Sequence, residues 1–412
     1  MSKLPLTMLF CLATTYLAQA QTPTVRDSVG IHLVTYAAAA MASGPVRRLA
    51  PSPAVVLGTG RTPDDQFAAA TGAIRLSDGS ILVADGMSTE LKLFDATGKF
   101  VRKLGQKGEG PGDFRQIGEI FALPGDTILV WDGILSRLTR FTVDGKVAGT
   151  QAVDRLPSVP SPGGRGTSTP VMFAFAVLGD GALLGFHGRV RSNALTELRT
   201  DSIAVAHVTT EGKYLALGSF LRGETYVFHS DETGMTSSDA RPFTTAASVA
   251  AGKSSLWYTD GRHFELREYS LTGKLVRVVR LRREPTPVSN EAIEAYREGM
   301  RNEMRTMPVR DSAVRARRVA HNESVLRWLT FPKAKPAWMS LLVARTGDIW
   351  ARQYGDATQV QRWEVFDSDA RFRGWVDVPA GLAVFEIGRE YLLGQAKDRD
   401  DVETVRLYRF IK

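Results

Sequence analysis

This 412-residue sequence contains one cysteine, Cys11. Intrachain disulfides and paired-thiolate zinc sites are therefore excluded, and packing alone must hold the fold. Histidine is sparse as well: His32, His187, His207, His229, His263 and His321 stand singly, without the i, i+4 spacing that puts two ligands on one helix face. No Gly-x-Ser-x-Gly elbow occurs, which removes the usual serine-hydrolase signal. No apolar run outside the N-terminus approaches the roughly 18 residues needed to cross a bilayer, and the N-terminal run is short and holds Pro5 and several threonines.

What the N-terminus does hold is a leader pattern. Lys3 precedes an apolar stretch over 4–17, and Ala18-Gln19-Ala20 supplies a small-x-small cleavage site. The pattern predicts a signal peptide over 1–20 and a mature chain starting near Gln21, in the periplasm or outside the cell. Cys11 leaves with that leader, and because Leu9-Phe10 precede it, a lipoprotein reading fails. The net charge of +8 falls by one unit when Lys3 is removed. A basic exported chain suits an anionic lipid, an acidic polysaccharide or a small anion. Nucleic acid is not an expected partner, since no stacking-aromatic or helix-turn-helix pattern accompanies the charge.

Internal repetition dominates the rest. One unit runs Ile74-Arg75-Leu76, Ser77-Asp78-Gly79, Ser80 to Asp85, Leu91 to Asp95, Thr97-Gly98-Lys99 and Phe100 to Leu104. The next repeats it with Ile120, Pro124-Gly125-Asp126, Thr127 to Asp132, Leu138 to Phe141 and Asp144-Gly145-Lys146. Each is four short β-rich runs divided by the Asp-Gly and Thr-Gly pairs that tight hairpins require. Four hairpin-linked strands form one sheet that cannot cover both its faces, so the sheets must stack in a closed ring. Weaker copies begin near Phe173, Ala247 and Met339, and the last, near Leu382, has three strands before the chain ends. The expectation is an all-β, six-bladed β-propeller of four-stranded antiparallel blades over 46–412. A segment at 21–45 precedes it, and a strand at 46–49 or 55–58 completes the last blade.

Between the first two units lies Gly105-Gln106-Lys107-Gly108-Glu109-Gly110-Pro111-Gly112-Asp113-Phe114, with a shorter echo in Gly58-Thr59-Gly60 and Asp65-Gln66-Phe67. This resembles the inter-blade linker of NHL-repeat propellers, and the chain is similar to bacterial exported six-bladed β-propeller proteins related to them. The resemblance covers about 58–145 and implies fold more than function. Physically, the glycines permit a sharp reversal between blades, and Phe114 is placed to plug the gap between them. A phosphate loop is the competing reading, but no Gly-Lys-Ser/Thr follows.

The period breaks over 284–338. Asn290 to Tyr296 opens a helix whose stripe is Ile293, Tyr296 and Met300, and 312–329 reads as a second with Val314, Val325, Leu326 and Leu329. This helical insertion is expected over one face of the disc, either as a solvated, arginine-rich helix pair that merely caps the ring, which is the plainer reading, or as a lid bearing Arg310, Arg315 and Arg318, whose guanidinium forks suit carboxylate or phosphate. Trp328 and Trp338 at its exit are read chiefly as packing anchors.

Some six-bladed propellers are metal-dependent lactonases or hydrolases that hold a calcium-type ion in the channel. Here only Glu119 and Glu386 put acids on the inner strands, without Asn or His beside them, and a cage of about six oxygens is hard to assemble. The acidic run Asp398, Asp400, Asp401 and Glu403 reads as a solvated hairpin tip. The leading expectation is a non-enzymatic exported binding or scaffold propeller, without cofactor, for an unknown protein, glycan or small anionic ligand. The alternative is a metal-assisted hydrolase or lactonase at the channel with Glu119 and Glu386 as partial ligands.

Overall fold

The computed structural model describes residues 23–37, 44–60, 62–154, 172–178, 181–188 and 196–411, with two short strands at Val159–Pro160 and Thr167–Ser168. The leader at 1–20 lies outside the described residues.

Six sheets follow one another along the chain. Blade 1 joins Ala70–Arg75, Ile81–Asp85, Glu90–Phe94 and Phe100–Leu104 in consecutive antiparallel order. Blade 2 repeats this with Glu119–Ala122, Ile128–Asp132, Arg137–Phe141 and Val147–Ala152. Blades 3, 4, 5 and 6 begin at Phe173–Val177, Ser248–Ala251, Trp338–Val343 and Ala383–Ile387. The second strands Ile81–Asp85 and Ile128–Asp132 are buried at every residue, as a strand covered by a neighbouring blade on each face must be. Both end in aspartate for a local reason. Asp85 accepts from the Ala68 and Ala69 amides at 3.0 Å, and Asp132 from the Arg115 and Gln116 amides at 2.7 and 3.2 Å. Each carboxylate thus latches the linker that leads into its own blade, which explains why the residue recurs in the repeat.

The glycine linker does what its composition predicts. Gly105 has φ +70°, and a Cβ there would lie 2.4 Å from the Phe114 ring. Phe114 is fully buried between blades 1 and 2 with Leu104, Ile120 and Phe141. Burying such a side chain contributes roughly 1.5–3 kcal/mol. The echo repeats the geometry: Gly58 has φ +80°, and Phe67 crowds it from the same side. Here Asp65 closes the turn by accepting from the Gly58 amide and the Thr59 hydroxyl at 3.0 and 2.9 Å.

Among the described residues the apolar core divides into inter-blade clusters that run right round the ring: blades 1 and 2, 2 and 3, 3 and 4, 4 and 5, 5 and 6, and 6 and 1. In the last of these Leu393, Val405 and Leu407 meet Ala73, Ile81 and Phe94, so the end of the chain packs on its first blade.

Three blades exceed four strands. In blade 6, Glu403–Ile411 pairs antiparallel with both Arg48–Leu49 and Val55–Leu57. Blade 4 gains Thr24–Ser28 and Ile31–Tyr36, a hairpin from the segment expected to precede the propeller. Its second strand pairs in parallel with Leu275–Leu281, so this sheet is not wholly antiparallel. The N-terminal chain therefore runs along the outer strands of three blades, touching Trp375 of blade 5 through Pro45 on its way to blade 6.

Blade 3 departs furthest from its repeat. Its third and fourth strands are Glu197–Val208 and Tyr214–Ser230, and Met235–Ala240 is added beside them. They outrun the blade and form a platform for helices α1 (Asn290–Thr306) and α2 (Ser312–Trp328). Ser289 caps α1 by accepting from the Ala292 amide, and Asp311 caps α2 through the Ala313 and Val314 amides. Val325 and Leu329 pack on Tyr226 and Phe228 of the platform, with Tyr296 and Trp328 at the edge. Val314, expected in the apolar stripe, is 39% exposed because the first half of α2 projects past the platform.

Candidate functional site

An inner strand is the free edge of its sheet, so its unpaired backbone groups and flanking side chains face the ring axis. The six inner strands together enclose a central channel of about 450 Å³. Among its described lining residues only Thr71, Glu119, Arg345 and Glu386 carry polar side-chain groups; the others are apolar, including Phe121, Phe175 and Phe385.

The two acids expected from the sequence both line this space, and they differ in their partners. Glu386, on the inner strand of blade 6, accepts from the Arg345 guanidinium at 2.6 Å, from the Tyr391 hydroxyl at 2.5 Å and from the Arg75 amide at 3.1 Å. The Arg75 guanidinium lies 4.9 Å from the centre of the Tyr391 ring. Burial raises the Glu386 pKa, and Arg345 works against that shift. Glu119, on the inner strand of blade 2, meets no cation among the described residues, and burial alone pushes its pKa up to about 7.

Blade 1 separates the two carboxyls. Glu119 approaches the strand Ala70–Arg75 at Gly72, where a Cβ would lie 3.9 Å from its oxygen, and Glu386 touches the same strand at Arg75. Three residues of strand rise about 10 Å. Among the described residues no three of His, Cys, Asp and Glu come together, and Glu386 already has three donors. The residues present do not fit a calcium-type cage, which takes about six to eight oxygens.

The insertion residues lie elsewhere. No residue of α1 or α2 lines the channel; the helices dock on the blade 3 extension, where the apolar platform lies. Arg310, Arg315 and Arg318 are exposed. Arg315 donates to the Val309 carbonyl at 2.7 Å, and Arg318 points at the Met307 sulfur. Trp328 packs against Tyr226 and Phe228, with ring centres 6.5 and 5.6 Å away. Trp338 is fully buried and donates from Nε1 to Glu364 at 2.8 Å. In the acidic run, Asp398 closes its turn by accepting from the Asp400 and Val402 amides, while Glu403 accepts from the Ala70 amide of blade 1 at 2.7 Å.

Sequence reasoning missed Arg345, which sits just beyond its strand in a turn and meets Glu386 only through the ring. It also missed the aromatic side pocket beside Glu119, of about 220 Å³, between blades 2 and 3.

Residues 61–164 match the family model DUF5128, described as a 6-bladed beta-propeller. No curated protein matches the chain. Among solved structures, a putative exported protein from Bacteroides fragilis is 12% identical, covering 92% of this chain and 100% of its own at a TM-score of 0.45. A member of the duf4221 family from Bacteroides vulgatus is 12% identical, covering 88% and 97% at 0.42. A calcium-binding protein, regucalcin, from Agrobacterium tumefaciens is 11% identical, covering 89% and 97% at 0.37. By its own six sheets, and in agreement with the match over 61–164, this chain is a six-bladed β-propeller.

Proposed function

We propose that the chain is an exported, non-enzymatic binding propeller whose small-molecule ligand enters the central channel. Export rests on the leader pattern over 1–20. No helix among the described residues is long and apolar enough to cross a membrane.

One observation carries the site: the six inner strands enclose a single space whose two carboxyls differ, Glu386 being paired with Arg345 while Glu119 meets no cation among the described residues. A volume of about 450 Å³ lies in the range of small-ligand pockets, about 300–1,000 Å³. Among the described residues the channel lining holds no Ser, Cys or His, so its one hydroxyl, that of Thr71, has no imidazole base beside it. That composition favours binding over turnover. Among the described lining residues the one cation, Arg345, is paired with Glu386, which favours a neutral or cationic partner over an anion.

Filling the channel tests this reading. A Cβ at Gly72 would meet only Ile120 and Glu119, at 3.7 and 3.9 Å, and the backbone there needs no positive φ. Gly72→Leu should therefore fold and occupy the space beside Glu119. A small-molecule library read by thermal shift should give ligands that stabilise the wild type and lose that effect in Gly72→Leu. Ligands that stabilise both proteins alike would overturn it.

A further inference from the structure

The cleft between blades 2 and 3 opens beside the channel into the side pocket, and Glu119 and Phe175 line both spaces. The other walls include Trp131, Met172, Phe173 and Phe186. Trp131 donates its Nε1 hydrogen to the Met172 carbonyl at 3.1 Å, so its polar end is already used. Phe173 and Phe186 stack with ring centres 5.8 Å apart, and Phe173 remains 54% exposed although it is a large aromatic. At about 220 Å³ the pocket is smaller than a whole-ligand cavity, so it takes one apolar group while the rest of a ligand extends into the channel.

The carboxyl at this junction stands apart from its counterparts. Glu386 has Arg345, Glu364 has Arg283, Asp85 has Lys92 at 3.1 Å, and Asp132, without a cation, accepts from the Arg115, Gln116, Ile134 and Leu135 amides, whereas among the described residues neither a cation nor a hydrogen-bond donor meets the Glu119 carboxyl. An incoming cation is what would return the energy lost by burying that charge. Aromatic faces around it attract the same species, as an ammonium over a ring gains roughly 0.5–2 kcal/mol. A neutral hydroxyl would recover only a hydrogen bond, and a carboxylate would meet like charge.

We propose that this junction binds an aryl-alkyl ammonium, with its aromatic or branched apolar group in the side pocket and its protonated amine on Glu119. The inference rests on the channel reading above and names the chemical class of its ligand.

Calorimetric titration of the full chain with 2-phenylethylamine, 2-phenylethanol and 3-phenylpropionate tests it. The amine should bind at least about tenfold more tightly than the alcohol at pH 8, and the acid weakest. Its affinity should rise about tenfold from pH 6 to pH 8 as Glu119 loses its proton. Glu119→Gln, isosteric and checked by its melting curve, should weaken the amine about tenfold and leave the alcohol within about twofold. Phe186→Ala should weaken both. Equal affinities for amine and alcohol, no amine binding, or an amine affinity unmoved by Glu119→Gln would each overturn the proposal. Amine binding that survives Glu119→Gln but is lost in Gly72→Leu sinks this inference and leaves the channel reading standing. Binding lost in Glu119→Gln but untouched by Gly72→Leu sinks the channel reading instead.

Discussion

The Tyr36 hydroxyl accepts a hydrogen bond from the Phe372 amide at 2.9 Å and donates one to the Ala370 carbonyl at 3.2 Å. Those bonds tie the N-terminal hairpin, already paired with blade 4, to the outer strand of blade 5. Tyr36→Phe keeps the ring's packing and leaves two buried backbone groups unpaired, at a cost of about 1–3 kcal/mol. Denaturant melts should show that loss, and hydrogen exchange should speed up first over 31–36. An unchanged midpoint would mean that the hairpin does not brace the ring.

Gly105 and Gly125 separate two demands on glycine. Both have positive φ, +70° and +79°, but only at Gly105 does an added Cβ strike Phe114, at 2.4 Å, and the Gly112 carbonyl, at 2.7 Å; nothing lies within 4 Å at Gly125. Gly125→Ala should cost about 1–2 kcal/mol from backbone conformation alone. Gly105→Ala should cost distinctly more, because the linker must move and Phe114 with it. Equal losses in matched urea melts would remove the plug from the account of how blades 1 and 2 pack.

Acid should loosen the insertion. His321 is buried between the Thr233 and Ser237 hydroxyls, 3.3 and 3.1 Å away, against the Phe228 ring. Burial, and next the proximity of His229, lower its pKa, and Arg317 beside it donates to the Thr233 carbonyl at 2.6 Å. With a folded pKa below the unfolded one, the stabilisation is complete above the unfolded value of about 6.5 and is lost as pH falls through the folded pKa. Limited proteolysis between α1 and α2 should accelerate from pH 7 to pH 5, and less so in His321→Gln. A pH-independent cleavage rate would contradict this.

Glu119 gives the opposite sign. Its folded pKa of about 7 lies above the ordinary carboxyl value of 4.5, so the folded protein loses stability as pH rises from the lower figure to the higher. The ceiling on that loss is on the order of 3 kcal/mol. Glu119→Gln should therefore melt a few degrees higher than the wild type at pH 8 and match it at pH 4.5. Replacing Arg310, Arg315 and Arg318 with Gln should leave channel-ligand affinity within about twofold, because these exposed side chains do not line the channel. A larger change would return the insertion to the site.

The repeat was legible where one residue does one local job. Gly105 with Phe114, Gly58 with Phe67, and the strand-ending Asp85 and Asp132 announce the blade because each solves a backbone problem within a few residues. The helices were legible from caps and stripes for the same reason. Long-range choices were not. The parallel pairing of Ile31–Tyr36 with Leu275–Leu281 depends on which outer edge is left free. The docking of α2 depends on Tyr226 and Phe228, in the extension of Tyr214–Ser230, where residues 223–230 are covered or half-covered without the two-residue alternation that marks a one-sided strand. At the site, Glu119 and Glu386 could be found as the acids on the inner strands. That one is neutralised and the other is not follows from Arg345, distant in sequence and brought near only by the ring.

The account turns on Glu119 being a largely covered carboxyl in the channel that meets no cation among the described residues. Isotope-edited carboxyl titration, with the signal assigned by its loss in Glu119→Gln, reads that condition in the ligand-free protein. A midpoint near about 7 is the expected result. A midpoint in the ordinary glutamate range, about 4.3, would show that the charge is already compensated and would contradict the proposed site.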